Sequence, residues 1–287
     1  MNSPSLAIIG GSGLYEIDSL EVIQRHNIET PFGQPSDEII EGKLSGRSVF
    51  FLPRHGRGHR LLAHEINHRA NIWALRSLNV RWVVSVTAVG SLREEMMPRD
   101  VVIPDQLVDR TGRAHEHTFF GNGIAAHVSF ADPYSEEMRK LLLEATAAHS
   151  RRLHPGGTYV SMNGPAFSTR AESNMHRAMG FDLIGMTNAP EARLCREAEI
   201  ALATMCLVTD YDCWKTDEAA VDVASVIANL HANSALAKEI IASLIPKIPE
   251  EPTWQEHQAL SSAILTPREN WPEATQADLK PILGRLL

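Results

Sequence analysis

The chain has 287 residues, of which 44% are hydrophobic and 22% charged, enough to bury a sizeable core in one large domain or two small ones. Lys and Arg number 27 against 35 Asp and Glu, a formal net charge of -8; nucleic acid and anionic membranes both favour a basic face, so neither is an expected partner. No apolar run approaches the roughly 20 residues needed to cross a bilayer.

The start, Met1-Asn2-Ser3-Pro4, carries no secretory pattern. Three cysteines, Cys195, Cys206 and Cys213, are too few and too uneven for a disulfide framework and fit a reducing compartment. The expected location is the cytoplasm.

Short apolar runs rich in β-branched residues recur, and they are expected to be strands covered on both faces. The first, 6–9, ends at Gly10-Gly11-Ser12-Gly13. Glycine there lets backbone approach an anion, and Ser12 adds a hydroxyl donor. Glu16 stands where a dinucleotide fingerprint needs glycine, and no P-loop lysine follows. The bland alternative is a tight strand exit with no ligand.

A second run, 48–52, leads into Pro53-Arg54-His55-Gly56-Arg57-Gly58-His59-Arg60. Arginine can grip a phosphate bidentately, with histidine alongside. A helix is predicted over 65–78. His64-Glu65-Ile66-Asn67-His68, at its start, matches the zincin pattern. Asn71 stands where the metzincin continuation needs glycine, and a third ligand such as Glu94 or Glu95 would have to come from a loop. Histidines exposed on a helix face are the simpler reading, with zinc hydrolysis as a rival.

The run 82–87 ends at Thr87-Ala88-Val89-Gly90-Ser91, again small and hydroxylated. Strands are predicted at 101–103, 158–162 and 182–186, the last ending at Thr187, and helices at 135–148, 170–179 and 189–199. Met96, Met97, Met175 and Met179 are expected to fill core gaps, and Cys195 to be a small buried apolar residue. The run 200–209 ends at Asp210-Tyr211-Asp212-Cys213-Trp214. Two carboxylates at i and i+2 suit two donors of one planar ligand, and burial can leave one of them protonated as a general acid. A helix N-terminus, where Asp is common, is the alternative.

A last long helix is predicted over 219–245. Beyond it a polar, proline-punctuated segment runs to the end, amphipathic over 274–287. The whole, 1–287, is expected to be one domain, with 246–287 as a helical appendage.

Interleaved strands and helices give an α/β class with a mainly parallel sheet. In such folds ligands collect beyond the carboxyl ends of the strands. Ser12, Arg54, His55, Thr87 and Thr187 all follow strands, which points to free phosphate or a single phosphate group as the ligand. No cofactor or metal is expected.

In order along the chain, Gly-Gly-Ser-Gly-Leu at 10–14, Arg-His-Gly-Arg at 54–57, Asn-His-Arg-Ala-Asn-Ile-Trp-Ala-Leu at 67–75 and Thr-Ala-Val-Gly-Ser-Leu-Arg-Glu-Glu at 87–95 resemble the trimeric purine nucleoside phosphorylases. Gly-Pro-Ala-Phe at 164–167 and Met-Thr-Asn-Ala-Pro-Glu at 186–191 extend the match. Thr-Asp-Tyr-Asp-Cys-Trp at 209–214 is similar to the 5'-methylthioadenosine phosphorylase branch in particular.

The resemblance implies a central mixed, partly closed β-sheet flanked by helices, and a homotrimer. It implies phosphate binding by Ser12, Arg54, His55, Thr87, the Ala88 backbone and Thr187. Met186 would pack on the ribose, Phe167 and Tyr211 would line the base pocket, and Asp210 and Asp212 would face the adenine N6 and N7 edge. Ser168 and Val223 match positions that tune the choice of base and 5'-substituent, and His127 resembles a residue lent across the trimer interface. Ala166, His68 and Asn188 depart from the family pattern, where a basic residue, a tyrosine and a small hydroxylated residue are usual.

The implied reaction is phosphorolysis of 5'-methylthioadenosine, with inorganic phosphate as co-substrate. In the 6-oxopurine branch a Glu and an Asn meet the base; Ser168 and Asp210 stand at those positions here, which favours adenine. Phosphorolysis of inosine, guanosine or methylthioinosine is the near alternative. A zinc hydrolase or a non-catalytic nucleoside sensor is the distant one.

Overall fold

The computed structural model describes residues 3–11, 20–150, 152–215 and 223–287. Among them are eleven strands: β1 (Ser5–Gly10), β2 (Glu21–His26), β3 (Ile39–Leu44), β4 (Arg47–Pro53), β5 (Val80–Ser91), β6 (Val101–Val102), β7 (Gln106–Asp109), β8 (Leu153–His154), β9 (Thr158–Ser161), β10 (Leu183–Gly185) and β11 (Ala201–Asp210). The seven α-helices are α1 (His68–Ser77), α2 (Glu136–His149), α3 (Arg170–Ala178), α4 (Asn188–Glu197), α5 (Val223–Leu244), α6 (Glu273–Asp278) and α7 (Lys280–Leu283).

All strands belong to one mixed sheet, organised around β5. The first half of β5 pairs in parallel with β1, whose other neighbour is β4. Along its other edge β5 pairs in parallel with β11, from Trp82↔Ala201 to Gly90↔Asp210. Its last residues, Gly90 and Ser91, pair antiparallel with β10. β10 continues to β9 and β11 to β6. β6 pairs with β8 and β7 with β9, so two arms leave β5, one through β10, β9 and β7 and the other through β11, β6 and β8. Val89, Val102, Tyr159, Leu183, Cys206 and Val208 from these strands form one apolar cluster.

The helices lie on both faces. Ile8, Trp82, Val84 and Met205 pack with Met138 and Leu142 of α2 and with Ile240 and Ile241 of α5. On the opposite face Ile9, Phe50, Leu52 and Val83 pack with Ile72 and Leu75 of α1 and with Leu194 and Cys195 of α4. Segment 246–287 contributes Leu260, Ala263, Trp271, Leu279, Ile282 and Leu283 to this second cluster. Arg285 also reaches back to the buried Glu199 carboxylate at 2.7 Å.

Helix starts are set by capping. Asn67 accepts the Ala70 N–H, and Ser135 accepts that of Met138. Thr169 and Glu172 close a reciprocal capping box on α3. The Asn67 cap places the start of α1 at His68, three residues later than the periodicity suggests. His64 and Glu65 therefore sit in a separate 3-10 turn, Ala63–Glu65, and the zincin pattern is not carried by one helix. Among the described residues no group of three His, Cys, Asp or Glu is placed to hold a metal ion. Nor is His68 exposed: it is 7% accessible. Met96 is buried as expected, but Met97 and Met179 are about half exposed and fill no gap. No helix of the described residues is long and apolar enough to cross a membrane.

Candidate functional site

The carboxyl ends of β1, β4 and β5 converge. The Arg54 N–H donates to the Gly10 carbonyl at 2.9 Å, and the Gly11 N–H donates to the Val86 carbonyl at 3.0 Å. A Cβ on Gly11 would lie 2.7 Å from the Val86 oxygen and 2.8 Å from Arg54 Nη1. No side chain fits there. Gly11→Ala is therefore expected to displace the Arg54 head and weaken the binding of an anion there about 10²-fold, the scale on which a misplacement near 1 Å acts. Titration of the variant with inorganic phosphate checks this. Ser12, the next residue, lies outside the described residues.

Arg54 is 1% exposed. A guanidinium out of water needs a paired charge and partners for its N–H groups. Glu191 on α4 supplies the charge, accepting from Nε and, at 3.1 Å, from Nη2. Nη2 also donates to Ser85 Oγ at 2.6 Å, Nη1 donates to the Val86 carbonyl at 3.1 Å, and Ser85 Oγ donates to Glu191 at 2.6 Å. Five N–H donors less four used leave one on Nη1, the nitrogen that faces Gly11.

His55 donates from Nδ1 to the Leu61 carbonyl at 2.9 Å, and its ring stacks on His59 with centroids 4.2 Å apart. Burial first, then the Arg54 charge, push its pKa down to about 4. The ring is thus neutral near pH 7, with Nε2 as its remaining nitrogen.

Thr87 is buried on β5, and its hydroxyl makes only a long contact, 3.3 Å, to the Ala88 carbonyl. Thr187 caps α4. Its buried Oγ1 has no hydrogen-bond partner, and the helix N-terminus behind it favours negative charge. The Tyr159 hydroxyl lies within reach of the Thr87 side chain and the Thr187 backbone, without good hydrogen-bond geometry to either. An unpartnered hydroxyl, a second held only by a long contact, an arginine N–H and a helix N-terminus thus point to a compact anion. Asn188, next on α4, is turned away into a buried chain from Tyr134 (2.6 Å) to Thr204 (2.8 Å).

Three residues beyond Thr87, Gly90 pairs with Asp210 across a register shift in β11. A Cβ on Gly90 would meet Asp210 Oδ1 at 3.0 Å, so glycine again lets a functional group close in. Asp210 accepts from Thr209 Oγ1 and from the Asp212 N–H, both at 2.7 Å. Burial outweighs these bonds and, with the neighbouring Asp212 charge, raises its pKa from 3.8 to about 6. Asp212 adopts a φ of +52°, an uncommon conformation for a residue with a Cβ and one that clusters at functional sites. Its Oδ2 is buried and has no hydrogen-bond partner among the described residues.

This loop is clamped from behind. The Tyr211 hydroxyl donates to the Glu94 carbonyl (3.1 Å), and Trp214 Nε1 donates to that of Ser91 (2.8 Å). The Arg177 guanidinium stacks 3.5 Å over the Trp214 ring. Ser168 sits against the loop, its carbonyl accepting from Cys213 Sγ at 3.2 Å, and Phe167 beside it is 47% exposed.

Met186 packs over Gly164, where a Cβ would meet its sulfur at 2.5 Å. With His68, His117 and Asn163 it lines a cavity of about 310 Å³. His127 is not part of that group. It lines a second cavity, of about 330 Å³, with Phe130, Arg193 and Glu197, and only His117 borders both. Val223 opens α5, and its side chain lies outside the described residues.

Strand-end reasoning thus finds the arginine, the hydroxyls and the carboxylates. It misses Glu191 and Ser85, whose roles come from partners 137 and 31 residues away, and it misses His68.

Comparison with known proteins follows the same lines. Residues 5–246 match the model of the Phosphorylase superfamily. The S-methyl-5'-thioadenosine phosphorylase of Geobacter sulfurreducens is 48% identical over 279 residues, 97% of this chain and 98% of its own. A crystal structure of methylthioadenosine phosphorylase from an antarctic soil metagenomic library superposes with a TM-score of 0.91 at 47% identity, covering 99% of this chain and all of the other. A mutant of the adenosine/methylthioadenosine phosphorylase from Schistosoma mansoni, in complex with methylthioadenosine, gives 0.82 at 33% identity, covering 99% and 100%. With matched residues spanning every element that builds the site, from β1 to α5, the chain belongs to the Phosphorylase superfamily, in the branch of the S-methyl-5'-thioadenosine phosphorylases.

Proposed function

We propose that the protein cleaves 5'-methylthioadenosine with inorganic phosphate, giving adenine and 5-methylthioribose 1-phosphate. The carrying observation is the buried carboxylate pair at the end of β11. Asp210 has a pKa raised to about 6, and Asp212 has a free buried oxygen. Asp210 pairs with Gly90, three residues along β5 from Thr87.

The chemistry is akin to glycoside cleavage through an oxocarbenium-like ribosyl centre. Phosphate is held by Ser12, the free Nη1 donor of Arg54, His55, Thr87, the Ala88 backbone and Thr187. These donors orient it and match its charge. Met186 packs on the ribose, and Phe167 and the Tyr211 face border the base. The leaving purine must take a proton at N7, which the Asp210/Asp212 pair supplies. The ionised partner accepts from the adenine N6 amino group. Ser168 and Val223 tune base and 5'-substituent choice. No resident cofactor enters the reaction.

His127 lies apart from the other expected site residues within one chain, which supports its acting on a neighbouring subunit in a homotrimer. The protein is proposed to work in the cytoplasm.

Phosphorus NMR on a mixture of enzyme, 5'-methylthioadenosine and phosphate tests the reading. A sugar 1-phosphate resonance should grow as inorganic phosphate falls, in step with adenine. Adenine released with the phosphate signal unchanged would replace phosphorolysis by hydrolysis. Sedimentation at a trimer mass checks the assembly.

A further inference from the structure

Among the described residues, four buried polar atoms without a hydrogen-bond partner fall in one patch: His68 Nδ1, His117 Nδ1, Asp109 Oδ2 and Arg193 Nε. Such atoms are costly to leave unmade and usually mark a ligand or a water. Of the four residues, His68 lines the first cavity and not the second. It opens α1, fixed by the Asn67 cap, and lines the 310 Å³ cavity with Met186 and Asn163. Its Nδ1 is 4.0 Å from Glu191 Oε1, too far for a hydrogen bond. Glu191 is already committed to Arg54 and Ser85. The His117 ring meets His68 edge-on at 6.5 Å and offers it no hydrogen bond.

Burial, then the charge of Arg54, hold His68 well below the ordinary histidine range, so the ring is neutral. A neutral imidazole donates at one nitrogen and accepts at the other, which matches a hydroxyl group. None of Arg54, His55, Thr87 or Thr187 lines this cavity, whereas Met186 does. That separates it from the anion donors and sets it on the sugar side.

We propose that His68 is a ribose-binding residue, its Nε2, the ring nitrogen not shut away beside Glu191, hydrogen-bonding the 2'- or 3'-hydroxyl of the nucleoside. The assignment rests on the phosphorolysis reading and on Met186 lying against the ribose. Tyrosine, usual at this position in the family, also carries a group that donates and accepts, so the two residues can serve one hydroxyl.

The test compares wild type, His68→Phe and His68→Tyr on 5'-methylthioadenosine and on its 2'-deoxy and 3'-deoxy analogues. With the full substrate, His68→Phe should lower kcat/KM roughly tenfold, the scale of one hydrogen bond to a buried partner. The loss should shrink to less than about twofold on the analogue lacking the contacted hydroxyl. The KM for phosphate should hold, and His68→Tyr should restore most of the rate. An equal loss on both deoxy analogues would make the role structural and overturn the assignment. So would a raised phosphate KM with nucleoside kinetics unchanged. If His68→Phe does not fold, His68→Leu carries the same comparison. A wild-type enzyme silent on all three nucleosides would fell the phosphorolysis reading itself, an outcome distinct from an active enzyme indifferent to His68.

Discussion

Asp210→Asn is expected to lower kcat/KM for 5'-methylthioadenosine by about 10²–10⁴-fold, the range of a lost general acid. An asparagine keeps the size of the carboxyl; its oxygen can accept the Asp212 N–H and its amide can donate to Thr209 Oγ1, which still donates to the Val89 carbonyl, so the loop should hold its shape. What it loses is the transferable proton. The pH profile separates the effects. Burial raises the Asp210 pKa to about 6, so the protonated acid is depleted as pH rises through that value. The carboxylate pair titrates as a unit. The wild-type kcat/KM should therefore fall on its alkaline side, and that limb should vanish in the variant.

Stability changes in a defined direction as well. The folded pKa lies above the unfolded value of 3.8, so Asp210 stabilises the fold fully below pH 3.8. That contribution is lost as pH rises through 6. Asp210→Asn should thus be more stable relative to wild type at pH 7 than at pH 3, as urea unfolding at the two pH values would report. An unchanged pH profile would remove Asp210 from the proton transfer.

Glu191→Ala is expected to be the most damaging single change outside the carboxylate loop. Arg54 is 1% exposed, and among the described residues Glu191 is its only charged hydrogen-bond partner. Removing that partner strands a buried guanidinium, at a cost of about 3–5 kcal/mol. Ser85 also loses its acceptor. Freed from Glu191, Arg54 should swing from the position in which Nη1 faces Gly11, and the phosphate KM should rise. Glu191→Gln keeps the shape and one acceptor, so it should fold better while still weakening phosphate binding. Urea unfolding and phosphate saturation curves check both variants. An alanine variant as stable as wild type would mean that water reaches Arg54.

Most of the sheet was legible because its strands are buried on both faces. β1, β4, β9, β10 and β11 are short, nearly continuous apolar runs. β2 was invisible for the opposite reason: Glu21–His26 is an exposed edge strand with no apolar face. β5 runs longer than its apolar stretch because Ala88–Ser91 are small residues pressed against β10 and β11.

The same contrast holds at the site. Arg54, Thr87, Thr187 and Asp210 each follow or end a strand, where local sequence marks them. Glu191 looks like an ordinary helical residue, and only the packing of α4 against α1 and β11 brings it to Arg54. His68 looked like a surface histidine because helix periodicity alone cannot tell which face meets a cavity. The outer ends of the two arms depend on the pairings β6 with β8 and β7 with β9, strands of two and of four residues, too short to carry a pattern.

The most direct test of the account is the initial rate of base release from 5'-methylthioadenosine and from methylthioinosine, each with and without phosphate. A buried, partly protonated carboxylate pair beside phosphate donors predicts adenine release that requires phosphate and outpaces release from the 6-oxo substrate. Release independent of phosphate, or faster cleavage of methylthioinosine, would contradict it.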